Sequence, residues 1–314
     1  MHGESIKISG KIGIRNEIMN LIKKPKLFAY WLITFGLVFF LLLVFVYISK
    51  NRNWPTGFSF VNSLLKNQKE TFAEEFGKKI RKIEEAGKKS ESSDKNWWVN
   101  SGGWMEISRG TGKTIEGNLS SSDKWFTRYK KNNPEDTDNG LHPQNIFRLV
   151  TRRKWQNFRQ QVFFKIKNVN LSASDNRNES NGVLLFNRYQ DGDDLYYAGL
   201  RVDGYAVIKK KISGDYHTLS SKRVFSGGYD HDSNPNLLPV GKWMGIRTVV
   251  QTKKNGDVEI SLFWKKKRSS KKWKLAVRCT DKGQKGNKIT DPGYGGIRTD
   301  FMDVEFDKYR ISEL

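Results

Sequence analysis

The sequence predicts an all-β body, an antiparallel sandwich of two sheets, carried behind one long apolar segment. Three observations predict the sandwich. From Trp97 onward, hydrophobic residues alternate with polar ones at a period of two. About a dozen such runs follow one another, divided by Gly, Asp and Asn turns, with no long helical pattern among them. No repeat of fixed period organises the series, which argues against a propeller or a solenoid.

The 314 residues begin with a basic stretch, residues 1–26, followed by 27–49 (LFAYWLITFGLVFFLLLVFVYIS) without one charge. About 20 apolar residues in a helix suffice to cross a bilayer, so 27–49 is expected to span one. Tyr30, Trp31 and Tyr47 stand near its ends, where amphipathic rings favour the headgroup level. Lys7, Lys11, Arg15, Lys23, Lys24 and Lys26 precede the run and only Lys50 and Arg52 follow it closely. The positive-inside rule then leaves 1–26 in the cytoplasm and exports the rest. The run is long for a signal peptide and no small-residue cleavage site closes it, so an uncleaved anchor in the plasma membrane is expected.

Residues 50–96 read as a helical stalk and linker. Over 61–86, Leu65, Phe72, Phe76, Ile80 and Ile83 recur at helical spacings between charges, although Gly77 interrupts them. A helix lying on its own domain or on the membrane accounts for this better than a coiled coil, which would support only weak oligomers. Residues 88–95 (KKSESSDK) read as a hinge. The body is then 97–314, with Ser120–His142 a looser stretch of turn chemistry. Short strands around glycine turns are expected in WWVNSGGWMEISRG and KTIEGNL, and further strands at IFRLVTR, FRQQVFFKIK, GVLLFNRYQ, DLYYAGLRV, YAVIKKKI, YHTLSSK, WMGIRTVVQT, VEISLFW, KLAVRC, GYGGIRT and VEFDKYRI. Trp104, Trp155 and Trp243 are expected in the core, because large aromatics dominate buried area.

Three passages, 146–166 (IFRLVTRRKWQNFRQQVFFKI), 182–211 (GVLLFNRYQDGDDLYYAGLRVDGYAVIKKK) and 293–311 (GYGGIRTDFMDVEFDKYRI), carry a resemblance. Together they make 97–314 resemble the concanavalin A-like lectin and glucanase superfamily, including laminin-G-like modules. The resemblance implies a jelly roll, with sugar sites on the concave sheet or in loops at its rim. It leaves function open, because lectins, hydrolases, lyases and adhesion modules share the fold.

The net charge of +23 draws polyanions, whether acidic polymers, lipid headgroups or nucleic acid. Export would leave no nucleic acid to meet. Cys279 is the only cysteine, which excludes an intrachain disulfide. The glucanases of the superfamily carry E-x-D-x-x-E. The nearest approach is Asp303, Glu305 and Asp307, in the wrong order and in the closing strand. The Q-I-H signature of lyases on this scaffold is absent, although Arg188, Tyr197, Arg201 and His217 supply the residue types such chemistry uses. No serine elbow, zinc spacing or complete phosphate loop occurs.

Binding a sugar asks only for aromatic faces and a few polar groups. The candidates are Arg188, Tyr197, Arg201, Lys209 and His217, with Tyr189, Tyr196 and the remainder of the Lys209–Lys211 run beside them. Alternation places Tyr197 and Arg201 outward and Tyr196 in the core. Asp191, Asp193 and Asp194 have the carboxylate density of a structural calcium site, and the resemblance adds Asp307 as a ligand. An ordinary acidic turn explains the triplet equally well. Lys265, Lys266, Lys267, Arg268, Lys271 and Lys272 crowd a hairpin tip. They read either as a device against edge pairing or as a contact with acidic polymer or anionic bilayer. The expected function is non-catalytic, lectin-like recognition of an anionic glycan outside the cell. The alternatives are a glycoside hydrolase or polysaccharide lyase, or an adhesion protein that binds protein.

Overall fold

Alternating apolar side chains are all buried only when the strands bearing them lie in two sheets, face to face. The chain takes this arrangement in the computed structural model, which describes residues 71–314. The first strands are β1 (Thr71–Glu74), β2 (Arg81–Glu84), β3 (Trp97–Ser101), β4 (Trp104–Ser108) and β5 (Thr111–Lys113). A helix, α1 (Lys124–Asn132), precedes β6 (Ile146–Trp155), β7 (Phe158–Val169), β8 (Gly182–Tyr189), β9 (Leu195–Arg201) and β10 (Tyr205–Ile212). There follow β11 (Asp215–Arg223), β12 (Met244–Thr252), β13 (Val258–Lys265), β14 (Lys274–Asp281), β15 (Gly293–Asp300) and β16 (Met302–Glu313).

The front sheet has the order β11-β10-β9-β8-β15-β6-β3. The back sheet runs β14-β13-β12-β7-β16-β5-β4-β2, with β1 also paired to β16. The pairings are antiparallel, and the sheets fit the jelly roll that the resemblance implies. Phe147, Leu149, Val183, Leu185, Tyr196 and Ala198 from the front sheet meet Val162, Phe164, Ile166, Ile246, Val304 and Phe306 from the back. The Phe147 and Phe306 rings stack with centroids 5.9 Å apart, and Trp97 meets Tyr309 edge-on at 4.7 Å. Burying each such ring is worth about 1.5–3 kcal/mol.

Gln160 is among the polar residues that cross this interior. Gln160 is fully buried; its amide donates to Phe186 O and, at 2.9 Å, to Asn187 Oδ1. Its Oε1 accepts from Tyr309 OH at 2.8 Å and Gly296 N at 3.2 Å. A buried amide satisfied on both ends fixes the two sheets in one alignment.

The strand runs from β6 to β16 fall where alternation places them. Among the secondary-structure elements, two expectations need correction. Over the described part of 61–86 there is no helical stalk: 71–74 and 81–84 are strands of the back sheet. The apolar residues that suggest a helical stripe are separate anchors. Phe72 packs on Trp97 and Tyr309, Phe76 and Ile83 are buried, and Ile80 is left exposed. The body therefore includes residues before Trp97. The expected tail, membrane span and first part of the stalk, residues 1–70, lie outside the described residues. Among the described residues, no helix is long and apolar enough to cross a membrane.

The second correction is α1, inside the stretch read as turns. Asp123 caps it by accepting from Trp125 N at 2.7 Å, and Trp125 and Tyr129, one turn apart, are buried. Of the three tryptophans expected in the core, Trp155 is there, whereas Trp104 and Trp243 are partly exposed beneath Lys82 and Lys165.

Candidate functional site

Side chains on the outer face of the front sheet form a second apolar layer: Val150, Leu184, Phe186, Tyr189, Leu195, Tyr197 and Val207. Above part of it opens a groove of about 430 Å³. Its floor carries Arg148 from β6, Arg298 and Asp300 from β15, Leu184 from β8, Tyr197 from β9 and Lys209 from β10, with Tyr216 of β11 at one side. Asn176, Asn178, Ser180 and Asn181 form the opposite wall.

That wall is held in place by its own polar groups. Asp136 accepts from Ser174 Oγ at 2.7 Å and Asn176 Nδ2 at 2.9 Å, and Asp138 accepts from Ser172 Oγ at 2.6 Å. Arg177 donates to Ser172 O at 2.5 Å and His231 O at 2.7 Å. Burial alone would raise the Asp136 carboxyl, but hydrogen bonds from Ser174, Asn176 and Asn133 hold it below its ordinary value.

The floor is electrostatically unbalanced. Arg148 and Arg298 are direct cross-strand partners. Arg298 Nε donates to Asp300 Oδ1 at 2.8 Å; burial opposes its charge, yet the carboxylate outweighs burial and raises the guanidinium. Arg148 has no hydrogen bond or ion pair among the described residues; burial and then Arg298 lower its affinity for the proton. Asp300 Oδ2 is buried and has no hydrogen-bond partner among the described residues. The Lys209 ammonium also faces the groove, lowered by burial and by Arg201 and Arg298. A set with more cations than carboxylates and an unused guanidinium can receive an anion through paired N–H groups. The rings and wall amides beside it suit a polar ring with apolar edges.

The structure distributes the sequence candidates unevenly. Tyr197 and Lys209 line the groove. Tyr197 takes the outward face, as alternation requires, but it is buried rather than exposed, because Tyr216 meets it edge-on at 6.2 Å and Arg298 lies 5.6 Å from its ring. Tyr196 is in the core and donates to Asp281 Oδ2 at 2.6 Å. Arg188 does not line the groove: it is fully buried and donates to Gln156 O, Ile289 O, Asn157 Oδ1 and Thr252 Oγ1. Its φ of +51° breaks the alternation that places it outward. Arg201 is outside the groove lining, tied to Asp203 at 2.7 Å and to Glu179 O. His217 pairs with Lys210, the inward member of the lysine run, and so stands on the opposite face from Lys209.

The calcium assignment also needs correction. Asp191 caps its own turn, accepting from the backbone of Asp193 and Asp194. Asp193 accepts from Lys211 at 2.9 Å and Asp194 from Ser213 N at 2.7 Å, so the three carboxylates turn apart. Asp307 is on the back sheet with Arg268; burial raises its carboxyl against that cation. Among the described residues, no group of three or more acidic, His or Cys side chains is placed to hold a metal ion. Asp303 and Glu305 are structural acceptors as well. Asp303 receives Gln144, Asn170 and Gly117, and Glu305 receives Lys165 and Lys167.

Groove residues missing from the sequence candidates include Arg148, Arg298, Asp300, Asp136 and Tyr216. Alternation carries a signal for three of them: Arg148 stands between inward Phe147 and Leu149, and Arg298 and Asp300 share a strand face.

No protein-family model and no curated protein matches the chain. Solved structures similar to it include carbohydrate-binding module CBM66 from Bacillus subtilis, at 10% identity and a TM-score of 0.37, covering 53% of this chain and 82% of that one. Another is a β-1,3-1,4-glucanase (lichenase) derived from a mouse hindgut metagenome, at 10% identity and a TM-score of 0.41, covering 77% and 98%. A third, the GH43 BlXynB protein from Bacillus licheniformis, has 14% identity and a TM-score of 0.36 over 65% of this chain, which spans only 33% of that one.

Proposed function

We propose that the groove binds an acidic carbohydrate and leaves it chemically unchanged, and that residues 27–49 anchor this module in a membrane with the body outside. The observation that carries the binding reading is Arg148, set opposite Arg298 and, among the described residues, with no hydrogen bond or ion pair of its own. Like charges directly across a strand pair destabilise a sheet, and an anionic ligand group between them would relieve the repulsion. Lys209 adds a third cation on the same floor.

The groups present favour binding over bond cleavage. Burial pushes the Tyr197 hydroxyl well above its ordinary range, so it stays protonated at neutral pH and is a poor proton acceptor. The Asp136 carboxyl is held low, the reverse of what a general acid needs. The candidate His217 is on the other face of its strand.

Calorimetric titration of the full chain with oligouronates and with neutral glucan oligosaccharides tests the proposal. Binding of the uronates alone is expected, weakening with salt. Failure to bind any glycan would leave protein adhesion as the function. New reducing ends or unsaturated products after incubation would replace binding with catalysis.

A further inference from the structure

The basic loop between β13 and β14 is folded back on the sandwich rather than projecting as a free tip. Phe163 of β7 faces outward on the back sheet, and Trp273 lies against it with ring centroids 5.7 Å apart. Trp273 rests on Gly245, where a Cβ would come within 2.9 Å of the indole. Arg268 pairs with Asp307 and lies 5.6 Å from the Trp243 ring, and Lys265 lies 5.0 Å from Trp273. These contacts fix the two ends and the middle of the loop. Between them, Lys266, Lys267, Lys271 and Lys272 are exposed and make no ion pair among the described residues. Leu275, 48% exposed, stands beside them at the start of β14.

We infer that this loop is a docking surface for the anionic headgroups of a bilayer. Charge complementarity is the first argument: four exposed lysines, Lys266 among them beside Phe225, make the braced loop strongly positive, and each one near an anionic leaflet adds roughly a fivefold preference. The second is the chain before the body. If 27–49 spans the membrane, residues 50–70 reach at most about 70 Å, which keeps the loop in the neighbourhood of the lipid. The third is orientation. The loop covers the outer face of the back sheet and the groove opens on the outer face of the front sheet, so docking by the loop leaves the groove open to solvent. The inference rests on reading 27–49 as a membrane span and is independent of what the groove binds.

The test is amine labelling, with mass-spectrometric readout, of the full chain in nanodiscs of phosphatidylcholine alone or with phosphatidylglycerol. Labelling of Lys266, Lys267, Lys271 and Lys272 is expected to fall at least fivefold when the anionic lipid is present, and to recover at high salt. The quadruple Lys→Gln variant at these positions should abolish the lipid-dependent protection of neighbouring Lys274. Equal labelling in both discs overturns the inference. So does equal protection in both, which would mean that protein covers the loop, or protection by added oligogalacturonate alone. A chain that does not co-purify with the discs overturns the membrane span and the inference together.

Discussion

Arg148→Met separates a binding arginine from a structural one, because the two roles give opposite signs for stability. Methionine keeps an unbranched stem at this position and removes the charge facing Arg298. Nothing on the protein is orphaned, since Arg148 has no hydrogen-bond partner among the described residues. Loss of a like-charge cross-strand pair should stabilise by about 0.2–1 kcal/mol. For a body of this size that raises Tm by roughly 1–3 °C. Affinity for an acidic oligosaccharide should fall meanwhile by roughly 10- to 150-fold, the worth of one charged hydrogen-bonding group at about 1.5–3 kcal/mol. Arg298→Met is the contrasting variant. It removes the cation from the buried Asp300 carboxylate, so it should lower stability by about 1–3 kcal/mol as well as weaken binding. Differential scanning fluorimetry and titration calorimetry on the same samples read both quantities. A Tm several degrees lower in the Arg148 variant, or an unchanged Kd, would refute the reasoning.

Elsewhere, Lys210 and Asp281 form a fully buried pair at 2.9 Å, so Lys210→Met should cost about 3–5 kcal/mol in thermal or urea unfolding, with partial recovery when Asp281→Asn is added. Gly245→Ala should displace Trp273 and cost about 1–3 kcal/mol, visible as increased exposure of a tryptophan in fluorescence quenching. Burial raises the Glu305 carboxyl, but Lys165 and Lys167 outweigh it and hold the folded-state pKa below about 4.5. Its stabilisation is therefore present above that pH and is lost as pH falls through the lower folded value, so the Tm values of parent and Glu305→Gln should converge in acid. Burial, then Asp281 and Glu259, push the Cys279 thiol up to about 12; alkylation by iodoacetamide at pH 8 should be slow until the chain is unfolded.

What could be read in the sequence was what depends on a residue and its immediate neighbours. The strands from β6 to β16 were legible because Phe147 and Leu149, or Val162, Phe164 and Ile166, repeat the period of the pleat. The same rule assigned Tyr196 to the interior and Tyr197 to the outer face. It failed where the backbone leaves the pleat, as at Arg188, whose positive φ turns an outward position into a buried one. It also misled at Phe72, Phe76 and Ile83. These residues lie four and seven apart, but each enters the sandwich at its own place. A helical stripe and a set of separate anchors can share one spacing, and only the partners distinguish them.

The groove shows the same limit more sharply. Arg148 and Arg298 taken alone read as ordinary solvated strand residues, and Lys209 is a candidate only within its basic run. Their meaning comes from strand order: β15, near the end of the chain, inserts between β8 and β6, bringing residue 298 opposite residue 148. No local pattern announces that pairing, because antiparallel strands distant in sequence can be aligned in many registers. Once the register is set, the imbalance becomes readable as chemistry. Of two facing guanidiniums only Arg298 is hydrogen-bonded to Asp300, whose second oxygen has no donor among the described residues. A sheet selected for stability alone would place an acid or a neutral residue at 148. An arginine there is explicable if something that visits the groove supplies the missing negative charge.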